Sequence, residues 1–252
     1  MRKTIGVILL PAEIKNLPQC DLSETACVVF DVLRATSTIV TALANGAQGV
    51  LPVREISDAL TIKQQRPEVL LAGERNGVRI GEELAGSISF DLGNSPREFV
   101  RSKVEEKIIV MTTTNGTRAL CACSGAGRIL IGSFLNFHVT VEHIQRGDFS
   151  QILLICAGTE ENVAYEDVLC AGAFIDLLAS QNGEKNVDDA AQLARAAYLQ
   201  EQRNLFAGFS KGSNAQRLLS LPSLCEDVAF CAQRDVLHIV AEVASHGMIR
   251  KV

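Results

Sequence analysis

The sequence predicts an α/β protein built on a mostly parallel sheet with helices on both faces. Short β-rich runs alternate with helical patterns through the first two-thirds of the chain, the rhythm of strand–helix–strand units. Runs such as Lys107 to Met111 (KIIVM) have the composition of buried strands. Apolar residues make up 47% of the 252 positions against 21% charged, enough to bury a substantial core.

Element by element, Thr4 to Leu10 reads as a strand, and Ala26 to Asp31 as a stronger one that ends on a carboxylate. Ser37 to Ala44 has helical composition and stops at Asn45-Gly46. Gly49 to Val53 is the next strand, Ser57 to Gln65 a helix, and Val69 to Ala72 a short strand running into Gly73-Glu74. Arg75 to Ser95 has glycines at 77, 81, 86 and 93 and no helical period, so a long loop is expected there. Pro96 suits the first turn of a helix. Lys107 to Met111 (strand), Gly116 to Cys123 (helix), Arg128 to Ile131 (strand), Asn136 to Arg146 (helix) and Gln151 to Cys156 (strand) repeat the rhythm. Asp167 to Ser180 is helical, closing at Asn182-Gly183, and Asp188 to Arg203 is an Ala-rich helix. The remainder reads as two short helices and a last strand, Val236 to Val243. With no low-complexity linker and no repeat, a single domain over 1–252 is expected, with a helical region after about residue 182 packed on it.

The formal net charge is −5 and the sequence pI about 5.5. Such a surface gives no general attraction to nucleic acid or to an anionic membrane. A small anionic ligand would need a local pocket of arginines and helix N-termini. The eight cysteines form no C-x-x-C pair and mostly sit in apolar runs, reading as buried small hydrophobes of a reducing cytosol. The first apolar run is too short to span a membrane and lacks a cleavage site, so a cytoplasmic location is expected.

In an open parallel sheet, ligands sit at the carboxyl ends of the strands. Four strand ends carry chemistry here. Asp31 opens DVLRATST, with Arg34, Thr36, Ser37 and Thr38 close behind. The next two are GERNG, with Glu74 and Arg75, and TTTNGTR, with Thr113, Asn115, Gly116 and Arg118. The fourth is AGTEENVAYED, with Glu166 and Asp167. Each alone has a structural reading: Asp31 as a strand-end cap, TTTNGT as an N-cap and turn, the other carboxylates as solvated surface. Read together, hard carboxylate oxygens beside phosphate-binding donors suit Mg²⁺ and a phosphoryl substrate. Histidines stand only at 138, 143, 238 and 246, with no zinc-site spacing. There is no P-loop, no dinucleotide fingerprint and no G-x-S-x-G elbow. Asp31 lacks the second Asp two residues on that aspartyl-phosphate phosphatases of the haloacid dehalogenase type carry. No cysteine is followed by an arginine at the spacing of a Cys-based phosphatase loop.

At these segments the chain resembles the 2-phosphosulfolactate phosphatase family. The stretches that carry the resemblance are VVFDVLRATSTIVTALANGA (28–47), AGERNG (72–77), FDLGNSP (90–96), TTTNGTRAL (112–120), CAG (156–158), EDVLCAGA (166–173) and DVAFCAQRD (227–235). They keep their order over nearly the whole chain. The resemblance implies a three-layer α/β/α fold. It also implies a Mg²⁺-dependent hydrolase that converts 2-phospho-3-sulfolactate, or a related 2-hydroxy acid phosphate, to the hydroxy acid and phosphate, a step toward coenzyme M.

The strand-end logic then assigns roles. Asp31, Glu74, Glu166 and Asp167 are expected on the metal, with Asp31 and Arg34 at the reaction. Arg34, Ser37, Thr113, Asn115 and Gly116 are expected on the phosphate, and Arg75 or Arg118 on a carboxylate or sulfonate. Two other readings use the same pocket: a phosphoryl or sulfo-group transferase, and a metabolite sensor without turnover. Phosphate release with and without Mg²⁺ separates them. A homodimer is the default expectation for assembly.

Overall fold

The computed structural model describes residues 3–86, 88–182 and 186–252. Its strands are β1 (Thr4–Ile8), β2 (Thr25–Phe30), β3 (Gly49–Pro52), β4 (Leu70–Arg75), β5 (Val78–Arg79), β6 (Ile108–Thr112), β7 (Arg128–Gly132), β8 (Gln151–Cys156), β9 (Asn186–Val187), β10 (Ala241–Val243) and β11 (Ile249–Lys251). They form one mixed sheet in the order β5-β4-β6-β3-β11-β10-β7-β2-β8-β1-β9.

Two parallel blocks make up this sheet. In one, β3 and β4 both pair with β6; in the other, β2 and β1 pair with β8, and β2 with β7. The C-terminal hairpin β10–β11 runs antiparallel between them, pairing Glu242 with Leu130 of β7 and Ile249 with Val50 of β3. The chain end thus joins the two halves.

Strand β2 shows why the middle of the sheet is dry. All six of its residues, TACVVF, are buried. Val28 and Phe30 pack into one hydrophobic cluster and Cys27 and Val29 into another, because successive side chains point to opposite faces. On the first face Phe30, Phe137 and Phe174 meet edge to face with centroids 4.9 and 5.2 Å apart. The second face is covered by the helices Ala35–Ala44 and Gly116–Ala122. Helices on both faces of a mostly parallel sheet make the three layers that were expected.

Three differences from the sequence reading stand out. The segment Arg75 to Ser95 is not an open loop: it holds β5, which turns back on β4, and a one-turn helix Glu82–Ala85. Both elements are too short to show a period, yet Ile80 and Phe90 within the segment are buried. After residue 204 there are three short helices, Leu205–Phe209, Ser213–Leu219 and Cys225–Cys231, and two strands instead of one. Val236 to Val240 is not strand; only Ala241–Val243 pairs, and its partner Ile249–Lys251 follows a turn at Gly247. Of the helix stop at Asn182-Gly183, Gly183 lies outside the described residues. Of the cysteines, Cys27, Cys123, Cys156, Cys170 and Cys231 are buried, whereas Cys20 is exposed. Among the described residues no helix is long and apolar enough to cross a membrane.

Candidate active site

The carboxyl ends of β2, β4 and β6 lie along one edge of the sheet, and the loops that leave them line a cavity of about 400 Å³. Asp31, Arg34, Glu74 and Asn115 all line it, so the structure brings together four of the residues singled out in the sequence.

Asp31 follows directly on β2 and precedes the helix Ala35–Ala44. Its Oδ1 accepts the Ala35 N–H at 3.2 Å, and its own N–H donates to Thr36 Oγ1 at 3.1 Å. It therefore does cap the helix start, but the cap engages one oxygen. Its Oδ2 faces Gly116, where an added Cβ would come within 2.6 Å of it and 2.7 Å of Ala35 Cβ. Glycine at 116 is what lets the Thr113–Gly116 turn approach the Asp31 loop.

Glu74, at the end of β4, holds the opposite wall. Its Oε1 accepts both the N–H and the Oγ1–H of Thr114 at 2.9 Å, and its Oε2 accepts the Gly77 N–H at 2.6 Å. Gly77 has φ +80°, and a Cβ there would meet Arg217 Nη1 at 2.8 Å. The tight GERNG turn thus needs glycine for its backbone conformation.

Behind Asp31 sit Glu166 and Asp167, each about 1% exposed. Asp167 Oδ1 accepts the Val32 N–H at 2.8 Å and its Oδ2 the Gly158 N–H at 3.1 Å. Glu166 Oε1 accepts from Asn214 Nδ2 at 2.7 Å, while its Oε2 is buried with no partner. These carboxyls disfavour one another's charge. Burial foremost, then the nearby Glu74 and Glu166, raises Asp31 from 3.8 to about 7. Asp167 is raised well above its ordinary value by burial, then by Glu166 and Asp31. Glu166 is raised by burial against the opposing Asn214 bond.

Among the described residues no three His, Cys, Asp or Glu side chains converge closely enough to hold a metal ion by themselves. The donor set is nevertheless of the kind Mg²⁺ takes, one or two carboxylates completed by water and substrate phosphate. Glu166, expected on the metal, is buried behind Asp31 and does not line the cavity, and its Oε2 has no partner.

Several sequence expectations change in detail. Ser37 Oγ donates to Val32 O at 2.8 Å and is fully buried. Thr113 and Thr117 exchange N–H···Oγ bonds at 3.2 Å. Both hydroxyls serve helix starts, and neither residue lines the cavity. Asp167 is a staple between two loops, with each oxygen engaged by backbone. Arg75 donates to Glu74 O at 2.7 Å and to Thr112 Oγ1 at 3.1 Å, away from the cavity. Arg118 lines a neighbouring cavity of about 350 Å³ that shares Asn115 with the first. Arg34 is present but not loose: Nη1 donates to Asp227 Oδ2 and Nη2 to Gly77 O, both at 2.8 Å.

The C-terminal helices supply what the strand-end argument did not reach. Asn214 donates to Leu33 O as well as to Glu166, and its Oδ1 accepts from Arg217 Nη2 at 3.0 Å. Arg217 Nη1 in turn donates to Asn76 O at 3.2 Å. Asp227, fully buried, accepts from Arg34 and from Ser95 Oγ at 2.7 Å. Asn76, Asn94, Asn214 and Arg217 all line the 400 Å³ cavity. Truncating Asn214 to Ala should loosen Glu166 and Arg217 together. The expected result is a loss of stability of roughly 1–3 kcal/mol, because a buried carboxylate loses its donor. An unchanged Tm for the N214A protein would contradict this coupling.

The chain was compared with known proteins. Residues 12–246 match the family model described as 2-phosphosulpholactate phosphatase. A Caldicellulosiruptor saccharolyticus protein named "Probable 2-phosphosulfolactate phosphatase" is 38% identical over 241 residues, covering 93% of this chain and 96% of its own. Proteins of the same name from Thermotoga maritima and Clostridium novyi are 40% and 35% identical. Those matches cover 89% and 94% of this chain and 91% and 96% of theirs.

Proposed function

Because the chain belongs to the 2-phosphosulpholactate phosphatase family, we propose that it hydrolyses 2-phosphosulfolactate to 3-sulfolactate and inorganic phosphate, assisted by Mg²⁺. The observation that carries this reading is the meeting of Asp31 and Glu74 with Arg34, Arg217 and Asn115 around one cavity at the carboxyl edge of the sheet.

Asp31 and Glu74, which line the cavity, would hold the cation. When bound, Mg²⁺ supplies positive charge that polarises the phosphoryl oxygens and offsets the charge developing in transfer. Arg34 and Arg217 provide guanidinium N–H donors for the remaining phosphoryl oxygens. Arg34 is held in place by Asp227 and the Gly77 carbonyl, so little reorganisation is needed when charge develops. Thr114 and Gly77 keep both Glu74 oxygens aimed. Asn115, at the start of the Gly116–Ala122 helix, is positioned to orient a bound ester. The test is release of phosphate from 2-phosphosulfolactate by the purified protein. Chelation should abolish it and Mg²⁺ should restore it. Full turnover by protein shown to be metal-free would refute the metal role, and no release with metal present would refute the activity.

The same carboxylates make a prediction independent of turnover. Asp31, Glu166 and Asp167 are raised above their ordinary values, so the metal-free folded chain keeps protons that the unfolded chain has lost. For Asp31 that stabilisation is fully present below about pH 3.8 and is lost as pH rises through about 7. The Tm of metal-free protein should therefore fall between about pH 5 and about pH 8. Mg²⁺ should raise Tm more at the higher pH, where the site is ionised. Equal increments at both values would argue against a carboxylate site.

A further inference from the structure

The 400 Å³ cavity does not end at Arg34. Arg34, Gly77 and Asn94 also line a second space of about 460 Å³. The two halves differ in charge. The first is lined by three carboxylates, Asp31, Glu74 and Glu160, against Arg34 and Arg217. The second is lined by Arg34, Arg79 and Arg97 against Glu98 alone. Glu98 is drawn off toward backbone, its Oε2 accepting the Gly93 N–H at 3.0 Å. Arg97 pairs with Glu226 at the rim and reaches Asp227 at 3.5 Å. The Arg79 side chain has no hydrogen-bond or ion-pair partner among the described residues. It stands directly across the β4–β5 pair from Glu74, so one two-stranded turn carries the acid of the first half and a base of the second. At the junction Asn94 is 5% exposed, and its side-chain Oδ1 is buried with no partner.

We propose that this second space is a subsite for an acid group carried by the organic part of the phosphomonoester, a sulfonate or carboxylate, read by Arg79 and Arg97. The phosphate end needs carboxylates to bring in a cation, and the far end needs cations without one. The lining separates charge in that sense across two spaces that share Arg34, Gly77 and Asn94. This assignment also moves the expected acid-binding role away from Arg118. The cavity that Arg118 lines balances Lys15, Arg54 and Arg118 against Glu55, Glu160 and Glu161, so it has no net attraction for an anion. The proposal rests on the phosphatase reading for the identity of the substrate, but the subsite can be measured without turnover.

Two measurements test it. The first is the ratio of kcat/KM for 2-phosphosulfolactate to that for a phosphate ester of a neutral alcohol, in wild type, Arg79→Ala, Arg97→Ala and Arg79→Lys. The ratio should fall roughly tenfold or more in each Ala variant, mainly through KM, with partial recovery in Arg79→Lys. The second is calorimetric titration with 3-sulfolactate, which carries the acid groups and no phosphate. Its Kd should rise by a similar factor in the Ala variants. Arg97 touches the buried Asp227 network, so its variant is open to loss of folding. Arg79 is exposed on a two-residue strand and keeps the test decisive. An unchanged ratio and an unchanged Kd in folded Arg79→Ala would overturn the subsite. Sulfolactate binding that depends on Arg79, in a protein that releases no phosphate from any ester, would uphold the subsite and remove the phosphatase reading.

Discussion

Replacing Asp31 by Asn should lower phosphate release by on the order of a hundredfold or more, while the protein stays folded. Asn keeps the size and the oxygen that accepts the Ala35 N–H, so the helix start at Ala35 is preserved. What is removed is the charge facing Gly116 and the cavity. In metal-free protein near pH 8 the variant should melt at or above the wild-type temperature, because a buried carboxylate that burial raises to about 7 no longer has to ionise. The two readouts should move in opposite senses, and a mere cap would move neither by much. Near-normal turnover by folded D31N at saturating Mg²⁺ would displace the active site from this cavity.

Asp227→Asn should give the largest loss of stability. Arg34 and Asp227 are 3% and 0% exposed and meet at 2.8 Å. Neutralising one partner leaves the other charge buried and uncompensated, which costs about 3–5 kcal/mol. For a chain of this size that is a fall in Tm of roughly 10 °C. The one oxygen that Asn keeps can serve Arg34 or the Ser95 and Arg97 side, not both, so the Pro96–Glu98 turn or the Arg34 contact should loosen. Replacing both partners with apolar residues, as Arg34→Met with Asp227→Leu, should recover much of the stability but not the activity. Thermal denaturation of the single and double variants checks this. A Tm within about 2 °C of wild type for D227N would mean that the pair is not under the burial the structure gives it.

The fold was legible where one strand or helix is long enough to carry its own pattern. β2, β8 and the helices Phe137–Arg146 and Asp189–Glu201 stand close to where the sequence placed them. The hairpin β10–β11 was half missed because each strand is three residues, shorter than an alternation needs to declare itself. Its strand character comes from filling the gap between two parallel blocks, which is a property of the assembled sheet.

The site divides the same way. Asp31, Arg34, Glu74 and Asn115 meet around one cavity because strand ends in a parallel sheet share an edge, and that rule needs no contact information. The rule says nothing about which polar groups at those ends are consumed locally. Ser37 and Thr113 look like phosphate donors in sequence and turn out to close their own helix starts. Asn214, Arg217 and Asp227 sit on short helices far along the chain. The resemblance covered Asp227 through DVAFCAQRD, and Asn94 through FDLGNSP, but no local pattern says which cavity such residues reach. Only the packing of the C-terminal helices against the Asp31 and Glu74 loops brings Asn214 and Arg217 to the cavity and Asp227 to Arg34.

A dication and a phosphate are proposed to meet between Asp31 and Glu74. Crystals grown with Mn²⁺ in place of Mg²⁺ and with inorganic phosphate test it most directly, because the anomalous signal of manganese locates the cation without reference to any assay. The expected result is a peak between the Asp31 and Glu74 carboxylates, with phosphate oxygens on the side of Arg34 and Arg217, and loss of that peak in D31N. A manganese peak in the cavity beside Arg118, or an unaltered peak in D31N, would contradict it.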